Sequence, residues 1–550
     1  MSEPQQDPTT PSSSADPSSS AELSGTAQAI RAAYAFDGPS VHVGALVENG
    51  ETRGCVPVNL PLAMLTRHGL IAGATGTGKT RTLQVIAEQA AAGGASVFVA
   101  DMKGDLSGIA VPGTPSEKLT ERAAARGQQW RAHAPSTTFF SLGGQGEGVP
   151  IRTTVSDFGP LLLARVLRLN RTQESSLGLI FHYADQNGLA LLDLKDLRAL
   201  IQFLTSKEGK AELQGIGGIS SATAGVILRE LTAFEASGAD VFFGEPAFDP
   251  QLLLARAADG TGVVSCLELP GVADRPVLFS TFMMWMLAEL FEVLPEVGDQ
   301  PVPKLVFFLD EAHLLFDGAS PAFLEQVVRT VRLIRSKGVG VFFITQSPKD
   351  VPGDVLAQLG NRIQHALRAH TPEDAKALRA TASTFPITDL DLTQVIPALR
   401  TGEAIVTVMS EDGAPTPVAV TAVRAPESSM DPAPDGVIAQ ASAASPLMAQ
   451  LGAPIDRESA YEILAARADA DAAAHTASAG RAGTGAPADP TSAQTRPTAK
   501  ESPARTATGR APRKEPGLLE NPAVRSFLRS AGTAIGREIT RSLFGTRRRR

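Results

Sequence analysis

The sequence predicts an α/β protein with a mainly parallel sheet, and three observations predict it. Short apolar, β-rich runs recur at 68–72, 96–101, 262–268, 305–310 and 340–345. Most are continuously apolar, as strands covered on both faces are. Helical patterns separate these runs, and such alternation marks strands joined by helical crossovers. A glycine-rich turn at 73–80 links the first run to a helix, a strand–loop–helix unit typical of this class.

Taken in order, residues 1–25 are rich in Ser, Pro and Asp and are expected to be disordered. They carry neither a basic start nor an apolar stretch, so they do not form a secretory signal, and a cytoplasmic location is expected. Residues 26–425 hold all five runs and are expected to form one large α/β domain. Within it, a helical insertion is expected at about 158–235, where Leu161, Leu162, Ala164, Arg165, Leu167 and Arg168 pattern as an amphipathic helix. The apolar stretch 276–294 is interrupted by Glu289 and Glu292, which favours a buried helix over a membrane span. Residues 426–515 are dominated by Ala, Pro, Ser, Thr and Gly and are expected to form a linker. In 516–550, Val524, Phe527, Leu528, Ile535, Ile539, Leu543 and Phe544 alternate with Arg525, Arg529, Arg537 and Arg541, the pattern of a basic amphipathic helix.

Composition narrows the function classes. Only Cys55 and Cys266 are present, which excludes a disulfide-stapled secreted scaffold. The chain carries a formal charge of −8, while 521–550 carries +7, so the preceding 520 residues carry −15. An acidic body excludes a uniformly basic nucleic-acid coat but not a locally positive channel. The basic tail suits an anionic membrane, acidic phosphates or an acidic protein surface, including the chain's own body.

The turn Gly73-Ala74-Thr75-Gly76-Thr77-Gly78-Lys79-Thr80 satisfies G-x-x-x-x-G-K-[ST] at every fixed position. Its chemistry is phosphate binding. Backbone N–H groups at a helix start close around anionic oxygens, Lys79 reaches the β- and γ-phosphates, and Thr80 holds Mg²⁺. Such a loop needs carboxylates at the end of a neighbouring buried strand, and the run ending in Asp310-Glu311 supplies them. Asp310 is the metal-side residue and Glu311 the general base for an attacking water. Gln346 ends the following strand and is placed to contact the γ-phosphate or that water. Asp101 and Asp105, in the turn after the second strand, suit a water or metal shell as well as an ordinary turn. No Asn-Lys-x-Asp follows a strand, since the nearest fragment is Pro348-Lys349-Asp350, so ATP is expected rather than GTP.

Asp310-Glu311-Ala312-His313 spells the box of DEAH-type RNA helicases, but the spacing opposes that reading. Lys79 and Asp310 lie 231 residues apart, and only about 115 residues of the ordered type follow Asp310, too few for a second motor domain. His313 is therefore expected to be incidental. Residues 40–425 instead resemble the HerA/FtsK class of ring ATPases, most closely bacterial proteins related to the HerA helicase C-terminal domain. The resemblance rests on 73–80, Asp101-Met102-Lys103-Gly104-Asp105, Gly217-Gly218-Ile219-Ser220-Ser221 with Phe242-Phe243-Gly244-Glu245-Pro246, 309–313, Ile344-Thr345-Gln346 and Gly360-Asn361-Arg362-Ile363. It implies a RecA-like P-loop core, a homohexamer with ATP at subunit interfaces, and double-stranded DNA in a central channel. It also implies an arginine acting from the adjacent subunit, for which Arg362 is favoured, then Arg335, with Arg329 and Arg332 on the same segments. Only about 45 residues separate the low-complexity start from the P-loop, too few for the β-barrel expected of the better-known helicase.

Three functions follow as expectations. The first is an ATP-driven DNA translocase or helicase-like motor. The second is a secretion- or conjugation-type ATPase that acts on protein or a membrane assembly, with the basic tail as its anchor. The third is a nucleotide-gated scaffold with little turnover, which Glu311 beside Asp310 disfavours.

Overall fold

The computed structural model describes residues 23–213, 217–272, 275–317, 319 and 321–482. Residues up to 478 form one compact unit, and the second unit, 479–550, is described only as far as Ala482. The expected disorder of residues 1–22, the later part of the expected linker and the basic helix at 516–550 therefore lie outside the described residues.

The first described element is α1 (Gly25–Ala33), capped by the Ser24 hydroxyl, so the backbone is helical where the disordered start was expected to end. It continues through β1 (Ser40–Glu48), β2 (Glu51–Pro61), β3 (Gly69–Ala72), α2 (Lys79–Ala92), β4 (Ser96–Asp101), α3 (Glu117–Ala124), β5 (Thr137–Leu142) and β6 (Val149–Ile151). Five helices follow: α4 (Val155–Val166), α5 (Arg171–Gln186), α6 (Leu194–Thr205), α7 (Lys207–Glu212) and α8 (Ser221–Ala236). Then come β7 (Val264–Glu268), α9 (Pro276–Val293), β8 (Leu305–Leu309), α10 (His313–Phe316), α11 (Pro321–Ile334), β9 (Val339–Thr345), α12 (Gly353–Leu356) and β10 (Asn361–Gln364). The described residues end with α13 (Pro372–Ala382), α14 (Leu392–Ala398), β11 (Glu403–Thr407), β12 (Ala419–Val423), α15 (Val437–Ala444), α16 (Pro446–Leu451) and α17 (Ala460–Ala482).

Among the described residues twelve strands join one sheet in the order β2-β1-β12-β11-β10-β3-β9-β8-β4-β7-β5-β6. From β10 to β6 every pairing is parallel, while β11, β12, β1 and β2 add antiparallel strands at one edge. The continuous apolar runs are central strands because each alternates its side chains between two covered faces. In β8, Leu305, Phe307 and Leu309 face α9 and the helical insertion, while Val306 and Phe308 join the layer of α1 and α2. Burying a large apolar side chain of this kind stabilises the fold by about 1.5–3 kcal/mol.

β3 starts one residue later than the sequence pattern predicts. His68 has a left-handed backbone with φ 58°, and its Nδ1 accepts the Val341 N–H at 3.0 Å, so it caps the strand rather than extending it. Gly69 then lies flat against the Phe342 ring, which a Cβ would meet at 2.2 Å.

Among the described residues α9 is the one helix long and apolar enough to cross a membrane. Here it is a core helix: Trp285 and Phe282 are buried, and Phe242 stacks edge-on against them at 5.1 and 5.7 Å. Phe158 meets Phe243 at 5.3 Å, so the Phe-Phe pair pins the helical insertion to α9.

The linker expected from 426 onward is corrected by the structure, since 426–464 packs on the body. Glu88 of α2 accepts the Glu427 and Ser428 N–H groups at 2.9 and 3.1 Å, and Trp130 donates to the Pro426 carbonyl at 2.6 Å. Farther on, Arg152 donates to the Leu451 carbonyl at 3.0 Å, Asp196 accepts the Tyr461 N–H at 2.9 Å, and Leu464 enters the core. Small residues gave no apolar signal because much of this segment is held by backbone hydrogen bonds to buried side chains of the body.

Candidate functional site

The site lies along the C-terminal ends of the parallel strands, where an α/β sheet leaves a crevice. β3 ends in the middle of the sheet, and the loop after it turns into α2 at Gly78, whose φ of 117° suits only glycine. At the loop's start a Cβ on Gly73 would meet the His365 Cβ at 2.5 Å. Neighbouring strands fix the loop through its backbone: Gly73 N–H donates to the Thr345 carbonyl at 3.2 Å, Ala74 N–H to the Ala366 carbonyl at 2.8 Å, and the Thr77 carbonyl accepts Gly402 N–H at 3.0 Å. Gly73, Ala74, Thr75, Gly76, Thr77, Gly78, Lys79 and Thr80 are thus held as one cradle at the start of a 14-residue helix.

Lys79 is buried and folds back over the cradle, donating to the Gly73 and Ala74 carbonyls at 2.7 and 3.2 Å. Burial pushes its pKa down, opposed mainly by the charge of Glu311. These two carbonyl contacts hold the ammonium where the phosphates of a nucleotide would lie.

β9 separates β8 from β3, so the two acidic residues after β8 approach the cradle across one strand. Asp310 is 2% exposed, and its carboxyl is pushed up to about 7, first by burial and then by Glu311. Its Oδ2 is buried without a hydrogen-bond partner, as is Oδ1 of Asp105. Carboxylate oxygens of Asp101, Asp105 and Asp310 lie within 4.8 Å of one another. A buried orphan carboxylate oxygen in this cluster suits a divalent cation. Asp101 itself is committed to structure, accepting the N–H groups of Lys103, Gly104 and Leu106 at 3.1, 2.8 and 2.8 Å.

Glu311 has φ 46°, a left-handed conformation uncommon for a non-glycine residue. Its Oε1 pairs with the Lys103 ammonium, and its Oε2 lies 3.2 Å from Nδ1 of His313. His313, expected to be incidental, therefore faces the carboxylate directly. Gln346 is exposed at the end of β9 and lines a cleft of about 490 Å³ with Ala74 and Thr75.

The two favoured arginines do not meet this group within the chain. Arg362, half-buried on β10, donates to the Thr384 and Leu356 carbonyls at 3.4 and 3.5 Å. Arg335 is exposed and precedes β9, so it lies roughly 20 Å from Gln346 at about 3.3 Å per strand residue.

Sequence reasoning assigned no role to three residues at or beside the site. Lys103 stood inside the Asp-Met-Lys-Gly-Asp motif, but nothing in its spacing pointed to Glu311. His365 is fully buried: its Nδ1 donates to the Glu403 carbonyl at 2.9 Å, leaving Nε2 to accept the Thr82 hydroxyl at 2.8 Å. It ties α2 to β10 and β11, and burial pushes its pKa down to about 4. Glu268 ends β7 beside Asp101, with its carboxyl pushed up to about 7, first by burial and then by Asp101.

That shift has a measurable consequence. A carboxyl whose pKa is raised on folding contributes stability that is full below its unfolded value near 4.5 and is lost as pH rises through about 7. Glu268→Gln is expected to flatten this part of the decline when thermal denaturation is followed from pH 4.5 to 8. An unchanged slope would contradict the assignment.

Comparison with known proteins adds a family. A sequence model described as helicase HerA-like, C-terminal, matches residues 47–550. No curated protein matches the chain. Among solved structures, the bacterial conjugative coupling protein TrwBdeltaN70, unbound, aligns at 14% identity with a TM-score of 0.48, over 73% of this chain and 94% of that one. TrwB in complex with the ATP analogue ADPNP aligns at 15% identity and 0.48, over 74% and 95%. VirB4 of Thermoanaerobacter pseudethanolicus aligns at 14% identity and 0.43, over 71% and 97%. These structural likenesses are too low to bear on function.

Proposed function

The chain belongs to the helicase HerA-like C-terminal family, and from that premise we propose that it is an ATP-hydrolysing ring motor acting on double-stranded DNA. The observation that carries the proposal is the convergence of the Lys79 cradle with a buried Asp310 and an adjacent Glu311 across the ends of β3 and β8.

When ATP enters, Lys79 exchanges two carbonyls for the β- and γ-phosphates, and loop N–H groups at the start of α2 accept the remaining charge. Thr80 and Asp310 hold Mg²⁺, whose charge offsets that of the triphosphate. Glu311 takes a proton from a water, the water oxygen bonds to the γ-phosphorus, and the bond to the bridging oxygen breaks to release ADP. Gln346, at the mouth of the cleft, orients that water. A homohexamer completes the site with an arginine from the neighbouring subunit, Arg362 or Arg335. Among the described residues Arg362 donates to the Thr384 and Leu356 carbonyls rather than to the P-loop, and Arg335 precedes β9 at the end away from it.

The test is steady-state ATP hydrolysis by the full chain with and without linear double-stranded DNA. DNA is expected to raise the rate, and the DNA concentration needed should rise steeply with salt. A ring that engages 6–10 phosphates loses roughly 10³–10⁵ in affinity between about 50 and 200 mM salt. Hydrolysis indifferent to DNA would overturn the DNA motor. The basic tail, +7 over residues 521–550, would then favour an ATPase working on protein or an anionic membrane.

A further inference from the structure

One oxygen of the general base assigned above is held by a cation. That oxygen of Glu311 is taken by the Lys103 ammonium, while the other, 3.2 Å from His313 Nδ1, is buried without a hydrogen-bond partner.

Which partner moves is set by how each is held. The Glu311 side chain is 7% exposed, and the backbone beside it is pinned by Ala312 N–H donating to the Ile344 carbonyl at 2.8 Å and Leu314 N–H to the Glu311 carbonyl at 2.9 Å. The Lys103 side chain is 45% exposed. Its backbone is fixed by Asp101, which accepts Lys103, Gly104 and Leu106 N–H groups, so the loop stays while the four-carbon stem swings. The ammonium also lies within the electrostatic reach of Lys79, Asp310 and Asp105, beside the place where Lys79 meets the phosphates.

We infer that Lys103 is a nucleotide-gated latch on Glu311: it holds the base while the site is empty or carries ADP, and the terminal phosphate of ATP draws the ammonium away and frees the carboxylate. The inference rests on the proposed ATPase reading and deepens it. A terminal phosphate adds negative charge that ADP lacks at that position, and so competes with Glu311 for the same cation. Hydrolysis is thereby confined to the occupied site, and Lys103 returns to Glu311 once the phosphate leaves.

The latch predicts a coupling that a structural ion pair would not show. Binding of ADP and of a non-hydrolysable ATP analogue is measured by fluorescence titration on the full chain for wild type, Glu311→Gln, Lys103→Met and the double variant. Glu311→Gln releases Lys103 in advance, so it is expected to tighten the triphosphate analogue about tenfold, the size of one charge-assisted contact. In the Lys103→Met background most of that tightening is lost, while ADP affinity is unchanged throughout and confirms folding. Lys103→Arg keeps the coupling because it keeps the cation. Equal tightening in both backgrounds, or none in wild type, overturns the latch while leaving the ATPase reading intact. Failure of wild type to bind either nucleotide overturns both.

Discussion

Glu311→Gln is expected to lower kcat for ATP hydrolysis by roughly 10²–10⁴-fold, the usual contribution of a positioned general base. Nucleotide binding should survive, because the contacts proposed for the phosphates come from Lys79, Thr80 and the loop backbone rather than from this side chain. The amide is isosteric but carries no charge to hold Lys103, and it cannot take a proton from water near neutral pH. The site favours this role for Glu311 over Asp310, whose carboxylate lies within 4.8 Å of those of Asp101 and Asp105 and suits a cation. Steady-state rates and fluorescence titration of a triphosphate analogue on the same preparation separate the two effects. A rate within tenfold of wild type would show that another group activates the water, with His313 at 3.2 Å from the carboxylate the next to test.

Much of this site was legible because its chemistry is local in sequence. The cradle is eight consecutive residues whose glycines and Lys79 declare the chemistry, and its strand and helix follow from apolar pattern alone. Asp310 and Glu311 were readable for a similar reason: a wholly apolar five-residue strand, Leu305–Leu309, ends at two acidic residues. What escaped notice is set by strand order. Lys103 reaches Glu311 across 208 residues because β4 lies beside β8, and no spacing rule announces that neighbourhood. His365 touches Thr82 across 283 residues, through β10 lying beside β3.

The linker error has a different origin. Hydrophobic periodicity finds segments that bind through apolar side chains, whereas 426–431 binds through backbone groups offered to Glu88, Gln84 and the 111–113 turn. A stretch of Pro, Ser and Ala carries no periodic mark of such docking. The buried Glu88 on α2, one turn after the buried Gln84, was the available signal, since a buried carboxylate calls for hydrogen-bond donors. This contact places residues 427–429 against the same helix whose first turn cradles the phosphates.

Lys79→Ala is expected to cost roughly 10²–10³-fold in kcat/KM, the scale seen when one preorganised donor to transition-state charge is removed. Its effect should differ in kind from that of Glu311→Gln. Lys79 meets the phosphates in the ground state and as charge develops on them, so both KM and kcat should suffer. The substitution also removes a cation from a buried acidic group: Lys79 is coupled to Glu311, Asp310 and Asp105, and without it these carboxylates face one another with Lys103 as the remaining nearby lysine. Lys103 should then be held more tightly by Glu311, which closes the latch at the moment the phosphates lose their main ligand. Suppression follows as a check on this chain of reasoning. Adding Glu311→Gln to Lys79→Ala should restore part of the lost triphosphate affinity by releasing Lys103, although it cannot restore turnover. If the double variant binds the triphosphate analogue no better than Lys79→Ala alone, the two lysines do not share the terminal phosphate, and Lys103 serves Glu311 only as a structural counter-ion.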